Sequence, residues 1–367
     1  MNENLKVVIS GGGTGGHIFP AIAIADAIKN RVPSAEILFI GAKDRMEMDR
    51  VPKAGYPIEG LRISGFQRSF TLENLSFPFK LISSIRKATQ ILKDFKPDVV
   101  IGVGGFASGP TLRAANKIGI PTVIQEQNSY PGITNRIVGK KAKAICVAYE
   151  KMDQWFPREK TYLTGNPLRS NILVEGKRDE AALCFQVDAN KPVVLLVGGS
   201  QGALGINKGI SAQLQTLGKT DLQLIWQTGK YYYEKAVQEV KNFGLEDKIK
   251  PMLFIDRMDL AYAISDIVIS RSGAMSISEL AMVKRPVIFV PLPTAAEDHQ
   301  TKNAQRLVDA EAALMVKNDE TELILIPKLI ELARDKAKQQ KMKENIGRFA
   351  RPNAAKDIVE TILQILN

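Results

Sequence analysis

The sequence predicts an α/β protein of two domains, each built on a parallel sheet, facing each other across a cleft. Three observations carry that expectation. Residues 5–9 form an apolar run of the kind that makes a buried parallel strand. The stretch 11–17 then reads Gly-Gly-Gly-Thr-Gly-Gly-His, and residues 18–28 place Ala and Ile at helical spacing. The same order returns in the second half: an apolar run at 193–197, Gly-Gly-Ser-Gln-Gly at 198–202, and a helical stretch at 203–210. Finally, strand-like runs alternate with helical segments, and 367 residues suffice for two cores.

A strand, a glycine turn and a helix together aim free backbone N–H groups and a helix dipole at an anion. Gly11, Gly13 and Gly16 also fit the dinucleotide fingerprint G-x-G-x-x-G. A dehydrogenase needs an acid at the end of its second strand to hold the ribose. Here the second strand, 37–40, runs into Gly41-Ala42-Lys43, and Glu36 stands at its other end. That argues against NAD.

The composition is that of a globular protein, without a low-complexity tract. No basic segment with an apolar signal core opens the sequence, and no apolar run is long enough for a bilayer. Cys146 and Cys184 lack metal or redox spacing and are expected to be reduced core residues of a cytosolic protein. The net charge of +11 is uneven. Residues 1–164 hold 23 Lys and Arg against 14 Asp and Glu, whereas residues 165–367 hold 27 against 25. A basic first domain attracts nucleic acid, anionic lipid or phosphorylated substrates; an ordinary solvated surface is the plainer alternative.

Taken in order, residues 51–56 suit a short helix and turn, and 57–63 a strand. Residues 66–82 mix large apolar side chains with Arg68 and Lys80, and Arg86 and Lys87 follow. Leu72, Leu75, Phe79 and Ile82 fall at helical spacing, with Pro78 expected to limit that helix. The stretch reads either as a core-facing amphipathic helix or as an interfacial patch for anionic lipid. A helix over 85–95 and a strand over 97–103 lead to a third glycine turn at 104–110 and a helix through Lys117. The strand at 120–124 ends in Gln125-Glu126-Gln127-Asn128, at the edge where open parallel sheets bind ligands. Asn128 reads equally well as a turn residue.

A further strand covers 143–148. Gly165-Asn166-Pro167 marks a linker, which sets domains at 1–164 and 165–349. In the second half, strands are expected at 222–227, 249–255, 266–270 and 286–290, and helices at 231–242, 258–264 and 275–282. His299-Gln300 open a helix after an irregular loop, with Asn303 one turn on. The rest looks helical, and after Arg351-Pro352 the last helix, about 350–367, is expected to pack back on the first domain.

The motifs GGGTGGH at 11–17, GGFASGP at 104–110, EQN at 126–128, GNPLR at 165–169, GGSQGA at 198–203, FIDRM at 254–258, RSGAMSISE at 271–279 and HQTKNA at 299–304 run in order over most of the chain. Together they closely resemble the bacterial MurG glycosyltransferases. The resemblance implies the GT-B fold: two Rossmann-like domains with parallel sheets facing a cleft, and a C-terminal helix returning to the first. It implies inverting transfer of N-acetylglucosamine from UDP-N-acetylglucosamine to the C4 hydroxyl of the MurNAc of lipid I. Lipid I is undecaprenyl-diphosphate-linked MurNAc-pentapeptide, and the product is lipid II for peptidoglycan. The enzyme would act as a peripheral protein on the cytoplasmic face of the cell membrane, in cell wall biogenesis, cell shape and cell division. Its partners would be an anionic membrane surface and cell-wall synthesis proteins, with no metal, no cofactor and no nucleic acid. A UDP-N-acetylglucosamine 2-epimerase, a related transferase acting on another lipid such as diacylglycerol, and a non-catalytic binding module are the rival readings.

Carried over residue by residue, the resemblance assigns the donor to Thr14, Gly15, Gly16, Asn128, Arg169, Ser200, Ile255, Ala274, Met275, Ser276, Ile277, Ser278, Glu279 and Gln300. Ile255 would read the uracil edge through its backbone. Physically, the turn at 198–202 offers N–H donors to the diphosphate, and Glu279 can accept from both ribose hydroxyls. Glu279 also lies near a helix start, where the dipole favours its charge. The amides of Asn128, Gln300 and Asn303 suit sugar hydroxyls. His17 is the leading candidate base, because an imidazole exchanges protons near neutrality; Glu126 is the weaker one. As alternatives, His17 packs and caps its loop, or binds the acceptor phosphate as a cation. Gly13, Gly104, Gly105 and Ser108 are expected at the acceptor diphosphate, and Leu72, Leu75, Phe79, Lys80, Ile82, Arg86 and Lys87 on a membrane face. Some family members carry Gln where this chain has His299, which leaves the role of His299 open.

Overall fold

Val7, Val8 and Ile9 are fully buried, so the strand that carries them must lie inside a sheet covered on both faces. The computed structural model describes residues 4–63, 72–168, 172, 176–199 and 201–366, the side chains of 72–77 and of Ala296 excepted. The chain forms two units, Met1–Arg169 with Arg351–Asn367, and Ser170–Ala350.

The first unit runs β1 (Lys6–Ser10), α1 (Gly15–Arg31), β2 (Glu36–Ala42), α2 (Glu47–Lys53), β3 (Ile58–Leu61), α3 (Leu72–Phe95), β4 (Val99–Gly102), α4 (Ser108–Lys117), β5 (Thr122–Glu126), α5 (Ile133–Gly139), β6 (Ala144–Val147) and β7 (Thr161–Leu163). Its seven-stranded sheet has the order β3-β2-β1-β4-β5-β6-β7. β1 is parallel to both neighbours, with Val7 opposite Ile37 on one side and Val99 on the other.

The second unit runs α6 (Arg178–Phe185), β8 (Val193–Val197), α7 (Leu204–Ala212), α8 (Leu214–Gly218), β9 (Gln223–Gln227), α9 (Tyr233–Asn242), β10 (Ile249–Met252), α10 (Met258–Ile264), β11 (Ile267–Ser270), α11 (Ala274–Val283), β12 (Val287–Phe289), α12 (His299–Asp309), β13 (Leu314–Met315), α13 (Ile326–Arg334) and α14 (Lys336–Gly347). Its sheet order, β10-β9-β8-β11-β12-β13, repeats the first. This is the doubly wound order 3-2-1-4-5-6, which reverses between β1 and β4 and again between β8 and β11. The carboxyl ends of those strands are where such folds take ligands.

The last helix, α15 (Ala354–Leu366), belongs to the first unit. Its Ile358, Val359 and Ile362 share a core with Ile24 and Ile28 of α1. On the other face, Ala88, Leu92, Leu112 and Val138 of α3, α4 and α5 cover the sheet.

Three local expectations are corrected. α3 continues through Pro78, which near the helix start removes a single i to i−4 bond. The stretch read as uniformly helical after α12 holds the edge strand β13 and a π-helical turn at Thr321–Leu325, both too short for a periodic signal. Cys184 is exposed: α6 buries Ala181, Ala182 and Phe185, which turns Leu183 and Cys184 outward.

Candidate active site

In the first unit the turns after β1 and β4 interlock. Gly105 has φ 84°, and a side chain there would run into the Gly12 backbone, so the two turns meet main chain to main chain. Thr14 is the N-cap of α1 with an extended backbone, yet its hydroxyl caps no N–H. It is exposed, as is Gly16, and Gly15 is half-buried between them. The Gly13 N–H is already engaged: it donates to Glu47 Oε2 at 2.8 Å, while Ala42 N–H donates to Glu47 Oε1 at 3.0 Å. Glu47 is 1% exposed. It ties the end of β2 to the first glycine turn and leaves Gly13 no free N–H for an acceptor diphosphate. No motif in the sequence singled out Glu47. Ser108, the first residue of α4, is buried, and its hydroxyl has no hydrogen-bond partner.

The His17 ring lies over Gly104, where a Cβ would stand 2.8 Å from Cε1. Its Nδ1 is 3.1 Å from Gln127 Oε1. Gln127 Nε2 donates to Val103 O at 2.7 Å and to Gln125 Oε1. Gln125 Nε2 donates to Asn166 Oδ1 at 2.9 Å, and Asn166 Nδ2 to Gln127 O at 3.1 Å. This amide chain behind His17 had no role in the sequence reading, although Gln127 sits inside the EQN motif.

Glu126 is 2% exposed and accepts four N–H groups: Asn128 N at 3.0 Å, Asn128 Nδ2 at 3.2 Å, Gly132 N at 3.3 Å and Asn135 Nδ2 at 2.8 Å. Burial pushes its carboxyl above the ordinary value, against the pull of those donors. Both oxygens are committed to ordering the loop that carries Asn128, a poor position for a base that must reach a substrate hydroxyl.

In the second unit the residues expected at the donor follow the ends of β8, β10 and β11. Gln227 is buried and bridges two of them: Nε2 donates to Gly199 O at 2.8 Å, and Oε1 accepts from Ile255 N at 3.1 Å. The Ile255 N–H is thus engaged within the unit. α11 begins after Gly273 with no side-chain cap, so the N–H groups of Ala274, Met275 and Ser276 stand at an open helix start. Ile277 turns into the core, and Ser278 Oγ donates back to Ala274 O at 3.0 Å.

Glu279 sits in the second turn, where the dipole has largely faded. What holds it is Tyr262, whose hydroxyl donates to Glu279 Oε2 at 2.9 Å. Gln300 is tied down twice: Oε1 accepts from Leu292 N and its carbonyl from Ser272 Oγ, both at 2.9 Å. Arg271 donates to Val290 O and Pro291 O and joins the ends of β11 and β12; burial lowers it to about 10, so it is a cation at neutral pH. Asn303 is fully buried and His299 half-buried on α12. Arg169 and Ser200 lie outside the described residues.

On α3, Phe79 is 76% and Ile82 50% exposed, with Lys80 half-buried and Arg86 exposed beside them. Lys87 separates from this group. Its Nζ pairs with Glu59 at 3.2 Å and donates to Gly60 O at 2.9 Å, back toward β3. Leu72 and Leu75 are on α3, but their side chains are outside the description. Among the described residues no helix is long and apolar enough to cross a membrane.

The glycosyltransferase family 28 N-terminal domain matches residues 7–147 and the family 28 C-terminal domain residues 193–362. A protein of Flavobacterium psychrophilum named UDP-N-acetylglucosamine--N-acetylmuramyl-(pentapeptide) pyrophosphoryl-undecaprenol N-acetylglucosamine transferase is 54% identical over 365 residues, 99% of this chain and 98% of that one. The chain belongs to glycosyltransferase family 28. A protein of the same name from Bacteroides thetaiotaomicron is 49% identical over 100% of this chain and 99% of its own length. Among solved structures, Acinetobacter baumannii MurG, at 28% identity to this chain, superposes with a TM-score of 0.78 over 98% of this chain and 99% of that one. UDP-GlcNAc 2-epimerase from Neisseria meningitidis bound to UDP-GlcNAc, at 17% identity, TM-score 0.69 and coverage of 98% and 100%, shares the fold alone. Membership of family 28 makes the chain a glycosyltransferase of GT-B type, with two Rossmann-like parallel-sheet units.

Proposed function

We propose that this chain transfers N-acetylglucosamine from UDP-N-acetylglucosamine to the C4 hydroxyl of the MurNAc of lipid I, with inversion, to form lipid II. The observation that carries this reading is the 54% identity over 99% of the chain to a transferase of that name. The domain from 165 to 349 binds the donor. There the open start of α11 faces the growing charge of the leaving diphosphate, Glu279 accepts from the ribose diol, and the Ile255 carbonyl meets the uracil. Arg169 and Ser200 complete that donor set. Residues 1–164, with the last helix, take the acceptor. Thr14, Gly15, Gly16 and Asn128 meet the donor, and Gly104, Gly105 and Ser108 the acceptor diphosphate. His17 takes the acceptor proton as the oxygen attacks the anomeric carbon and the bond to UDP breaks with its electron pair.

The Phe79, Lys80, Ile82 and Arg86 surface rests on anionic lipid at the cytoplasmic face of the cell membrane, where other cell-wall synthesis proteins work. No metal or cofactor enters this scheme. The test is to incubate the purified protein with UDP-N-acetylglucosamine and a lipid I analogue, with and without chelator. UDP release that needs the acceptor and yields the disaccharide supports the transferase. UDP release without acceptor, with a sugar epimer appearing, sinks it in favour of an epimerase.

A further inference from the structure

The contact between Gln127 and His17 decides which ring nitrogen of His17 carries the proton. Gln125, Gln127 and Asn166 are all buried, at 0%, 2% and 3% exposure. Their amide orientations are fixed at both ends of the chain by backbone carbonyls, which can only accept. Val103 O, 2.7 Å from Gln127 Nε2, demands the amino side of Gln127. Gln127 O, 3.1 Å from Asn166 Nδ2, demands the amino side of Asn166. Asn166 Oδ1 must then face Gln125 Nε2, and Gln125 Oε1 must face Gln127 Nε2. Turning any one amide over sets oxygen against oxygen or amino group against amino group. The one atom left toward the imidazole is Gln127 Oε1, at 3.1 Å from Nδ1.

An amide oxygen accepts and cannot donate. We infer that Gln127 is a positioning residue that holds neutral His17 as the Nδ1–H tautomer, so that Nε2 bears the lone pair. This rests on the reading of His17 as the base and names the atom that does the work. The acceptor hydroxyl gives its proton to Nε2, its oxygen bonds to the anomeric carbon, and UDP departs with the electrons of the broken bond. The resulting imidazolium keeps its Nδ1–H on Gln127 Oε1, where the amide dipole stabilises the new charge. At Gly104 a Cβ would stand 2.8 Å from His17 Cε1 and 2.9 Å from Nδ1, so the glycine leaves the ring room at that contact.

The chain has two histidines, so its imidazole nitrogens can be read individually. Two-bond 1H–15N correlation on the full-length protein, above the imidazole titration, gives the tautomer, and His299→Gln assigns the signals. The expected result is a protonated Nδ1 and an unprotonated Nε2 for His17. In Gln127→Met, which removes the acceptor, His17 should shift toward the Nε2–H form. Its kcat should fall roughly ten- to hundredfold, with KM for UDP-N-acetylglucosamine within about twofold. An Nε2–H tautomer in the wild type, or an unchanged Nδ1–H tautomer in Gln127→Met, overturns the inference. Should Gln127→Met fail to fold, the wild-type spectrum decides alone. If His17→Ala transfers sugar at the wild-type rate while the wild-type spectrum reads Nδ1–H, the base assignment falls and the tautomer assignment stands.

Discussion

Tyr262 and Glu279, on α10 and α11, meet through a 2.9 Å hydrogen bond from the phenol to the carboxylate. Burial, and then the Glu279 charge, push the Tyr262 hydroxyl well above its ordinary value of 10. The phenol therefore stays a donor at every pH the enzyme meets. Glu279 is half-buried, and this bond fixes the position of a carboxylate proposed to accept from the ribose diol.

Tyr262→Phe removes that one bond and little volume. A hydrogen bond of about 1 kcal/mol corresponds to roughly fivefold in affinity. UDP titration calorimetry should give a dissociation constant weaker by about that factor, with kcat nearly kept. Unchanged UDP affinity would separate Glu279 from the ribose.

Glu47→Ala should cost more in stability than in donor binding. It leaves the Gly13 and Ala42 N–H groups unpaired, at about 1–3 kcal/mol for each buried donor. Hydrogen exchange of the β1 and β2 amides should quicken accordingly, while UDP binding stays as it was. Glu47→Gln keeps one acceptor oxygen and should fall about midway. Equal protection in all three proteins would deny Glu47 its part in holding the turn.

Gly105→Ala and Gly202→Ala form a matched pair across the two units. Both glycines have positive φ, 84° and 79°, and a side chain would strike the Gly12 backbone in one case and the Thr228 carbonyl in the other. Strain of about 1–3 kcal/mol must be relieved by moving a turn. Gly105→Ala should lower transfer at least tenfold and leave UDP affinity alone, whereas Gly202→Ala should weaken UDP binding itself. Calorimetry with UDP distinguishes them, and identical behaviour of the two variants would refute this division of labour.

The fold was legible because strands buried on both faces read as near-continuous apolar runs: residues 193–197 are apolar throughout, and 5–9 break the pattern only at Lys6. His17 and Glu279 were legible through their motifs. What supports them was not. Gln127 lies 110 positions from His17, and only the order β1-β4-β5 in the sheet makes them neighbours. Tyr262 is one apolar position of a short helix until α10 and α11 are set side by side. Lys87 looked like its neighbours on a basic surface, but Glu59 on β3 claims it. A partner that arrives through tertiary structure leaves no local pattern.

Glu126 provides a pH signature. Its folded carboxyl titrates above the ordinary 4.5, so just above that pH the native chain holds a proton that the unfolded chain has lost. Stability contributed by this group is therefore full below about 4.5 and declines as pH rises through the folded value. In urea titrations, the stability difference between wild type and Glu126→Gln should narrow from pH 4.5 toward neutrality. A difference that stays flat would place the carboxylate at its ordinary value and the loop at Asn128 under a permanent charge.

The proposed membrane face separates into an apolar and an ionic part. Phe79 and Ile82 expose their side chains one turn apart on α3, and Lys80 and Arg86 accompany them. A basic residue near an anionic surface contributes about 1 kcal/mol, so Lys80→Gln with Arg86→Gln should weaken binding to anionic vesicles roughly thirtyfold at low salt. Added salt should erase that difference, because screening weakens the same attraction in the wild type. Phe79→Ser with Ile82→Ser should weaken binding at every salt concentration, since apolar burial is not screened. Lys87 is left in place because its partner is Glu59, and Lys87→Gln should disturb β3 more than vesicle binding. Vesicle cosedimentation across a salt series reads all three variants, and loss of binding by Lys87→Gln alone would mean that the surface faces lipid from the β3 side instead.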